Sequence, residues 1–216
     1  MIFDERMVNI QLVTEMLGTV SKDPEVYKTY IESKKPANIE EDESATVDKT
    51  EEKGWTGFHR EKETDRLFIY DYMIRGFLKN AGEVLQQTFL VEKEKKGKPA
   101  TMEKMKGIRG KVDKYVFVTP RRIYLGCSQP DGYIERPLRV MTPQGPRVTL
   151  ARSDYVNAGL ILGFTIKLLK NKEITWDMLI ELLSYGELAG LGQFRNGGYG
   201  RFEVLAIEPV KERLTA

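Results

Sequence analysis

Apolar residues recur along the chain with the two spacings that distinguish strands from helices. Loose alternation with β-branched residues predicts a first strand over 8–17, and helical spacing predicts a first helix over 74–90. A second helix is predicted from Trp176 to about residue 188, with Thr175 as its N-terminal cap. The remaining apolar runs predict strands at 67–70, 115–119, 123–125 and 202–208, and a central strand within 155–169.

Without insertions, these elements follow the order strand, helix, strand, strand, helix, strand. This order is that of an α+β protein with a ferredoxin-like (RRM-like) βαββαβ core. We therefore expect one domain over 1–216 with two insertions, at 20–65 and 126–154. The first insertion contains an acidic loop, and the second contains a basic β-hairpin with its tip near 143–146. The Lys-rich segment 92–111 predicts loop or disorder.

The composition excludes several classes of protein. Apolar residues make up 41% of the 216 residues, which is enough for a core. No apolar stretch reaches about 18 residues and the N-terminus carries no secretory pattern, so we expect a cytoplasmic protein without a membrane partner. A single cysteine, Cys127, cannot form an internal disulfide or a thiolate zinc site. We therefore expect no bound metal and no cofactor.

The formal net charge of +2 conceals an uneven distribution of charge. Residues 40–53 contain seven acids and two bases, which predicts a solvated loop, whereas 104–152 contain eleven bases and three acids. Arginine dominates the later part, and its planar guanidinium suits phosphate contact and stacking. Tyrosines lie between these bases and are suited to stack on unpaired bases of a nucleic acid: Tyr124, Tyr133 and Tyr155. The expected basic track is Arg121, Arg122, Arg139, Arg147 and Arg152. The alternative is a solvated sheet edge protected by its charge.

Residues 190–200 read Gly-Leu-Gly-Gln-Phe-Arg-Asn-Gly-Gly-Tyr-Gly, with two glycine pairs around a five-residue middle. The glycines of the pairs are Gly190, Gly192, Gly198 and Gly200. Glycine permits positive φ and close approach of another backbone, so that successive N–H groups can form an anion-binding nest. Donors suited to phosphate, sugar or base edges lie in the same segment: Gln193, Arg195 and Asn196. The alternative is a flexible turn with a glycine helix cap.

This Gly-h-Gly-x5-Gly-h-Gly pattern, between the last predicted helix and the last strand, resembles the glycine-rich loop of the RAMP superfamily. These are the repeat-associated RNA-binding proteins of CRISPR systems. A second segment, residues 71–79, is similar to the family's segment that opens the first helix, with Arg75, Gly76 and Lys79 in the matching positions. Where the family usually has Pro-Gly-Ser-Ser, this chain has Tyr-Asp-Tyr. The resemblance implies that Arg75 and Lys79 bind the RNA backbone.

Within the superfamily, the chain is most similar to the backbone subunits that polymerise along guide RNA, in which a hairpin between the two halves kinks the RNA. Residues 133–152 occupy that place in the order of elements. The resemblance implies a non-catalytic protein that binds single-stranded RNA or a nucleotide, and that associates with itself or with other CRISPR-type subunits.

Two alternatives remain open. The whole chain also resembles proteins encoded by bacteriophages and related mobile elements, which implies a counter-defence protein that mimics such a subunit or sequesters a nucleotide signal. Some superfamily members instead cleave RNA with a histidine as general acid or base, without a metal. His59 is the one histidine of the chain and therefore the candidate for a RAMP-type endoribonuclease.

Overall fold

A computed structural model describes residues 2–22, 55–95, 98–142 and 145–210. Over these residues the protein is a mixed α+β fold with several antiparallel sheets and three helices. The strands are β1 (Phe3–Leu12), β2 (Met16–Leu17), β3 (Val20–Ser21), β4 (Trp55–Gly57), β5 (His59–Arg60), β6 (Leu67–Tyr70), β7 (Leu90–Lys95), β8 (Lys98–Lys104), β9 (Val116–Thr119), β10 (Arg122–Tyr124), β11 (Gly132–Thr142), β12 (Gly145–Val156), β13 (Ile161–Leu169) and β14 (Phe202–Pro209). The helices are α1 (Asp71–Leu85), α2 (Ile108–Tyr115) and α3 (Trp176–Ser184).

A four-stranded sheet in the order β14-β1-β13-β9 supplies much of the core. Each pair of neighbouring strands in it is antiparallel. Val8, Ile10 and Leu12 of β1 are buried, whereas Met7, which precedes them in the alternation, is exposed. Successive side chains of a strand point to opposite faces, so one face of this sheet packs inward and the other faces outward.

Helices α1 and α3 pack their apolar faces into the same core. Phe77 of α1 meets Phe202 of β14 edge to face, with 4.9 Å between the ring centroids. Thr175 caps α3, because its hydroxyl accepts a hydrogen bond from the backbone N–H of Met178 at 3.4 Å, and the predicted cap is confirmed. In the described ranges, no helix has the length and apolar content that a membrane crossing requires.

Smaller sheets adjoin the central one. Strands β10, β6 and β5 form an antiparallel sheet in that order. A second sheet has the order β11-β12-β4-β3, and β2 pairs with β12 beside it. In this sheet β12 and β4 run parallel, with Arg152 opposite Trp55 and Ser153 opposite Thr56. This pairing brings residues 55–57 against the hairpin of β11 and β12.

The two segments that the sequence predicts as insertions, 20–65 and 126–154, differ in how far the structure describes them. The acidic residues 40–52 lie outside the described residues. Strands β11 and β12 form a long antiparallel hairpin, whose register runs from Gly132 opposite Tyr155 to Thr142 opposite Gly145. This hairpin occupies the segment in which the sequence predicts one.

The Lys-rich segment 92–111 is not the loop that its composition predicts. Strands β7 and β8 pair as an antiparallel hairpin, and α2 begins at Ile108. Backbone pairing between two polar strands leaves no hydrophobic pattern in the sequence, which is why composition alone misses it. Ile108 and Val112 are fully buried and anchor α2 to the core.

Two element boundaries also differ from the predicted ones. Strand β1 ends at Leu12, although the next backbone N–H, that of Val13, still donates to the carbonyl of Arg201 at 2.7 Å beside β14. Residues 16–17 then pair with β12 instead of continuing β1. Helix α1 spans 71–85 rather than 74–90, and the Thr88 hydroxyl donates to the carbonyl of Leu85 at 2.7 Å just beyond its end.

Candidate nucleic-acid interface

The glycine-rich loop, residues 190–200, connects α3 to β14 and closes on itself. The backbone N–H of Leu191 donates to the carbonyl of Gly200 at 2.8 Å. Gly200 has φ +72°, and a Cβ there would lie 1.9 Å from the carbonyl oxygen of Leu191. Only glycine allows the two ends of the loop to approach this closely. The pair of glycines at each end therefore shapes the loop, as the sequence predicts.

The loop is also docked on the segment between β1 and β3. The N–H of Gln193 donates to the carbonyl of Leu17 at 3.2 Å, and the N–H of Gly200 donates to the carbonyl of Glu15 at 2.7 Å. Thr14 donates its hydroxyl to the carbonyl of Gly198 at 2.9 Å. Gly192 has φ +81°, and a Cβ there would lie 2.4 Å from the carbonyl oxygen of Leu17. These contacts hold the loop in one conformation, in contrast to a flexible turn.

The side chain of Gln193 joins the loop to β4 and to the hairpin. Its Oε1 accepts hydrogen bonds from the hydroxyls of Thr56 at 2.9 Å and Ser153 at 2.8 Å. The Nη2 of Arg136, on β11, lies 3.4 Å from the same oxygen and 3.0 Å from the Ser153 hydroxyl. Ser153 is fully buried. Gln193, which the sequence predicts as a ligand contact, therefore has a structural role that its position in the motif does not reveal.

The middle of the loop presents its donors to solvent. Phe194 adopts the left-handed conformation and precedes a short 3-10 turn, Arg195–Gly197. Arg195 and Asn196 are exposed in this turn. A left-handed residue followed by a right-handed turn is the backbone arrangement of an anion-binding nest. The two side chains predicted to contact a ligand thus lie on the surface of a rigid loop.

Arg152 of β12 is held between two aromatic rings. Its Cζ lies 3.4 Å from the ring centroid of Trp55 and 3.4 Å from that of Tyr133. Lys22 also lies over the Trp55 ring, with its Nζ 4.1 Å from the centroid, and pairs with the buried carboxylate of Asp154 at 2.9 Å. Tyr133 is 52% exposed. Cationic and aromatic groups are therefore layered at the base of the hairpin.

We call the cluster formed by Gln193, Phe194, Trp55, Thr56, Tyr133, Arg136, Arg152 and Ser153 the loop–hairpin junction. Sequence reasoning singles out Gln193, Arg152 and Tyr133 of this set. It misses Trp55 and Arg136 as site residues, because their proximity comes from the pairing of β12 with β4 and β11. It also misses Phe194, which lies beneath Arg136 where the loop docks. The other two arginines predicted on the hairpin lie farther toward its tip, with Arg139 opposite Val148 and Arg147 opposite Val140.

A second group of predicted residues lies on α1 and around β10, where each basic side chain faces a carboxylate. Arg75 and Lys79 approach the Oδ1 of Asp113 at 3.2 Å and 2.9 Å. Arg121 lies 3.6 Å from Asp71, and Arg122 lies 3.3 Å from Glu61. The structure thus brings the predicted cations together in two groups on different elements, and it pairs those of the second group with acids.

Glu61 is the centre of a polar cluster beside β10. Its carboxylate accepts hydrogen bonds from the hydroxyls of Thr64 and Tyr124. These hydrogen bonds, with the charge of Arg66, lower the pKa of Glu61 to about 2. The Arg66 guanidinium also lies over the Tyr124 ring, 4.1 Å from its centroid. Tyr124, predicted as a base-stacking residue, is therefore engaged within the protein.

His59 lies inside an aromatic cluster and is only 2% exposed. Its ring stacks on Phe68 at 5.3 Å and meets Tyr70 edge to face at 4.5 Å. Burial, and secondarily the charge of Arg122, lower the pKa of His59 to about 4, so that the imidazole is neutral at pH 7. Among the described residues, no group of three or more His, Cys, Asp or Glu side chains is arranged to hold a metal ion.

No protein-family model matches the chain. No curated protein matches it either. The fold is similar to that of a chain in the cryo-EM structure of the type III-B Cmr-beta bound to cognate target RNA, with a TM-score of 0.52 and 14% identity. The alignment covers 97% of this chain and 61% of that chain, so this protein spans about three fifths of the length of its structural neighbour. At this identity the similarity defines the fold alone.

Proposed function

We propose that this protein is a RAMP-like RNA-binding protein, non-catalytic and of the type that forms the guide-RNA-binding backbone of a CRISPR effector complex. The strand order β14-β1-β13-β9, with α1 between β1 and β9 and α3 between β13 and β14 in the chain, supports a ferredoxin-like βαββαβ core. On this basis we assign the whole chain to a single RAMP-like domain, in which 20–65 and 126–154 are insertions.

The observation that carries the proposal is the docking of the glycine-rich loop on the base of the hairpin through Gln193. Proteins that bind single-stranded RNA combine cations for the phosphates with planar side chains for the bases. The loop–hairpin junction and the adjoining turn offer both kinds of group, with Arg195 exposed on the loop and Tyr133 exposed beside Arg152. The structural neighbour, in a structure bound to cognate target RNA, supports the same class of ligand.

We assign a secondary role to the cations of α1 and β10. Arg75, Lys79, Arg121 and Arg122 carry charges suited to the RNA backbone, but each faces a carboxylate. A phosphate must compete with these acids, so we expect their contribution to be smaller than that of Arg195. The proposed partners are single-stranded RNA, or a nucleotide, together with further copies of the chain or other CRISPR-type subunits.

The burial of His59 favours a binding protein over the endoribonuclease alternative. A general acid or base has to reach the substrate, and this side chain is 2% exposed with a pKa of about 4. The counter-defence alternative, in which a mobile-element protein mimics a CRISPR subunit or sequesters a nucleotide, stays a prediction.

The proposal is tested by fluorescence anisotropy with labelled single-stranded RNA at about 50 and about 200 mM salt. We expect the wild type to bind, and binding to weaken steeply as salt rises. Arg195→Ala removes an exposed cation of the loop, so it weakens binding and lowers the salt slope by about 1. The matched control Lys172→Ala removes an exposed cation between β13 and α3 and leaves binding unchanged. Absence of binding at low salt contradicts the proposed function, and equal losses in the two variants contradict the assigned site.

A further inference from the structure

Phe194 combines two features that do not favour folding. Its backbone has φ 53° and ψ 40°, in the left-handed region that residues other than glycine and asparagine rarely adopt. The residue is 49% exposed, although a phenylalanine ring is stabilised by burial. A strained backbone that holds an aromatic ring at the surface is typical of a functional site.

The surroundings of Phe194 hold its ring in place. A Cβ on Gly197 would lie 2.3 Å from the ring, so the glycine at this position is what leaves room for it. The N–H of Gly197 donates to the carbonyl of Phe194 at 2.9 Å, which fixes the turn. Arg136 lies over the ring, with its Cζ 4.4 Å from the centroid, and the Tyr199 ring centroid is 5.9 Å away. The ring is therefore preorganised in a residue that is about half exposed.

We propose that Phe194 is a base-stacking residue of the RNA site, on which one unpaired nucleobase stacks; this inference rests on the proposed function. A nucleobase is planar, and its apolar face covers an aromatic ring whatever the base identity. The neighbouring cations, Arg136 over the ring and the exposed Arg195 next in the chain, favour a polyanion that carries planar bases. Tyr133 at the base of the hairpin resembles Phe194, because it is also about half exposed and its ring also packs against an arginine, Arg152.

The experiment compares two oligonucleotides of equal length, an RNA and its abasic analogue, which carries the phosphates without the bases. Phe194→Asn removes the ring and keeps a residue that tolerates the left-handed conformation. We expect this variant to bind RNA about 5- to 100-fold more weakly than the wild type and to bind the abasic strand with unchanged affinity. Its thermal stability stays equal or rises, because the strained phenylalanine is gone, whereas loss of a structural aromatic ring lowers stability.

Two control variants are measured alongside Phe194→Asn. Phe194→Tyr keeps the ring and is expected to bind RNA as the wild type does. Phe117→Thr removes another partly exposed phenylalanine ring, from β9, and is expected to leave RNA binding unchanged.

If Phe194→Asn does not fold, Phe194→Leu and RNA labelled with 2-aminopurine replace it. The wild type then quenches the label at one or more positions, and Phe194→Leu quenches it less.

The outcomes separate the inference from the proposed function. A wild type that binds neither oligonucleotide overturns both. Unchanged RNA affinity of Phe194→Asn, or unchanged quenching in Phe194→Leu, overturns the stacking role while the proposed function stands. An equal loss for RNA and abasic strand also overturns the stacking role, because it means that the ring positions phosphate-binding groups and does not contact a base.

Discussion

Gly200 is the residue at which the glycine-rich loop closes. It combines φ +72° with a carbonyl oxygen, that of Leu191, 1.9 Å from where a Cβ would lie. Its N–H also donates to the carbonyl of Glu15, so its backbone links the loop to the segment after β1. A side chain at this position strains the backbone and separates these contacts at the same time.

We expect Gly200→Ala to lower the free energy of unfolding by about 1–3 kcal/mol, because positive φ and the close carbonyl both disfavour a Cβ. Urea denaturation measures the change. Gly110→Ala is the matched control, since Gly110 lies within α2, where an added Cβ would meet no described residue beyond its own helix within 4 Å. Alanine there is expected to leave stability unchanged or raise it by up to about 1 kcal/mol. Equal stabilities of the two variants contradict this account of the loop.

At the residue scale, the sequence predicts which residue types belong to the loop but not which of them contact one another. Arg195 and Asn196 are exposed, as a ligand contact requires. Gln193 instead accepts hydrogen bonds from Thr56 and Ser153, which are 137 and 40 residues away in the chain. Spacing within a motif carries no information about partners at such distances.

At the scale of elements, helices α1 and α2 meet at an ion-pair cluster. Asp113 of α2 approaches Arg75 at 3.2 Å and Lys79 at 2.9 Å. These three side chains are between about a quarter and a half exposed, so the pairs contribute little to stability. Their main consequence is electrostatic, because the carboxylate offsets the charge that α1 presents to a polyanion.

Asp113→Asn is therefore expected to tighten RNA binding several-fold at low salt, and the gain shrinks as salt rises. Anisotropy titrations at two salt concentrations measure it. Glu181→Gln removes one negative charge from the exposed surface of α3 and serves as the control for net charge. If both variants gain equally, the effect reflects total charge, and Arg75 and Lys79 have no part in the RNA site.

Helices are predicted correctly where the burial of one face imposes a regular spacing on the apolar residues. The apolar residues of α1 and α3 and the Thr175 cap all leave local signals, and the structure contains these elements. The hairpin of β7 and β8 leaves no such signal, because its strands are mostly polar and are joined through backbone pairing. Residues 16–17, which the sequence predicts as the end of the first strand, pair instead with β12, about 140 residues farther along the chain.

At the scale of the whole molecule, the one histidine of the chain makes the stability of the fold depend on pH. The folded protein lowers the pKa of His59 from 6.5 to about 4, mainly by burial. Between these values the unfolded chain binds a proton that the folded protein does not. Stability from this group is therefore complete above about pH 6.5 and is lost as pH falls toward 4.

We expect the wild type to be less stable at pH 5 than at pH 7 by about 2 kcal/mol from this cause. Urea unfolding at the two pH values measures the difference. His59→Phe keeps an aromatic ring beside Phe68 and removes the titration, so its stability changes less between pH 7 and pH 5. An equal change in wild type and variant contradicts the assignment to His59. Asp71 does not explain such a loss, because burial raises the pKa of its carboxyl and a raised carboxyl pKa favours the folded protein as pH falls.

The net charge of +2 illustrates what each level of description determines. The sequence alone determines the α+β class, most core elements and the shape-forming glycines, because periodicity, capping and positive φ are local properties. It also locates the excess of basic residues at 104–152. Only the tertiary structure decides that Arg75, Lys79, Arg121 and Arg122 face acids, that Arg152 lies between Trp55 and Tyr133, and that Phe194 is held at the surface. These properties depend on contacts between residues far apart in the chain, which no pattern along the sequence records.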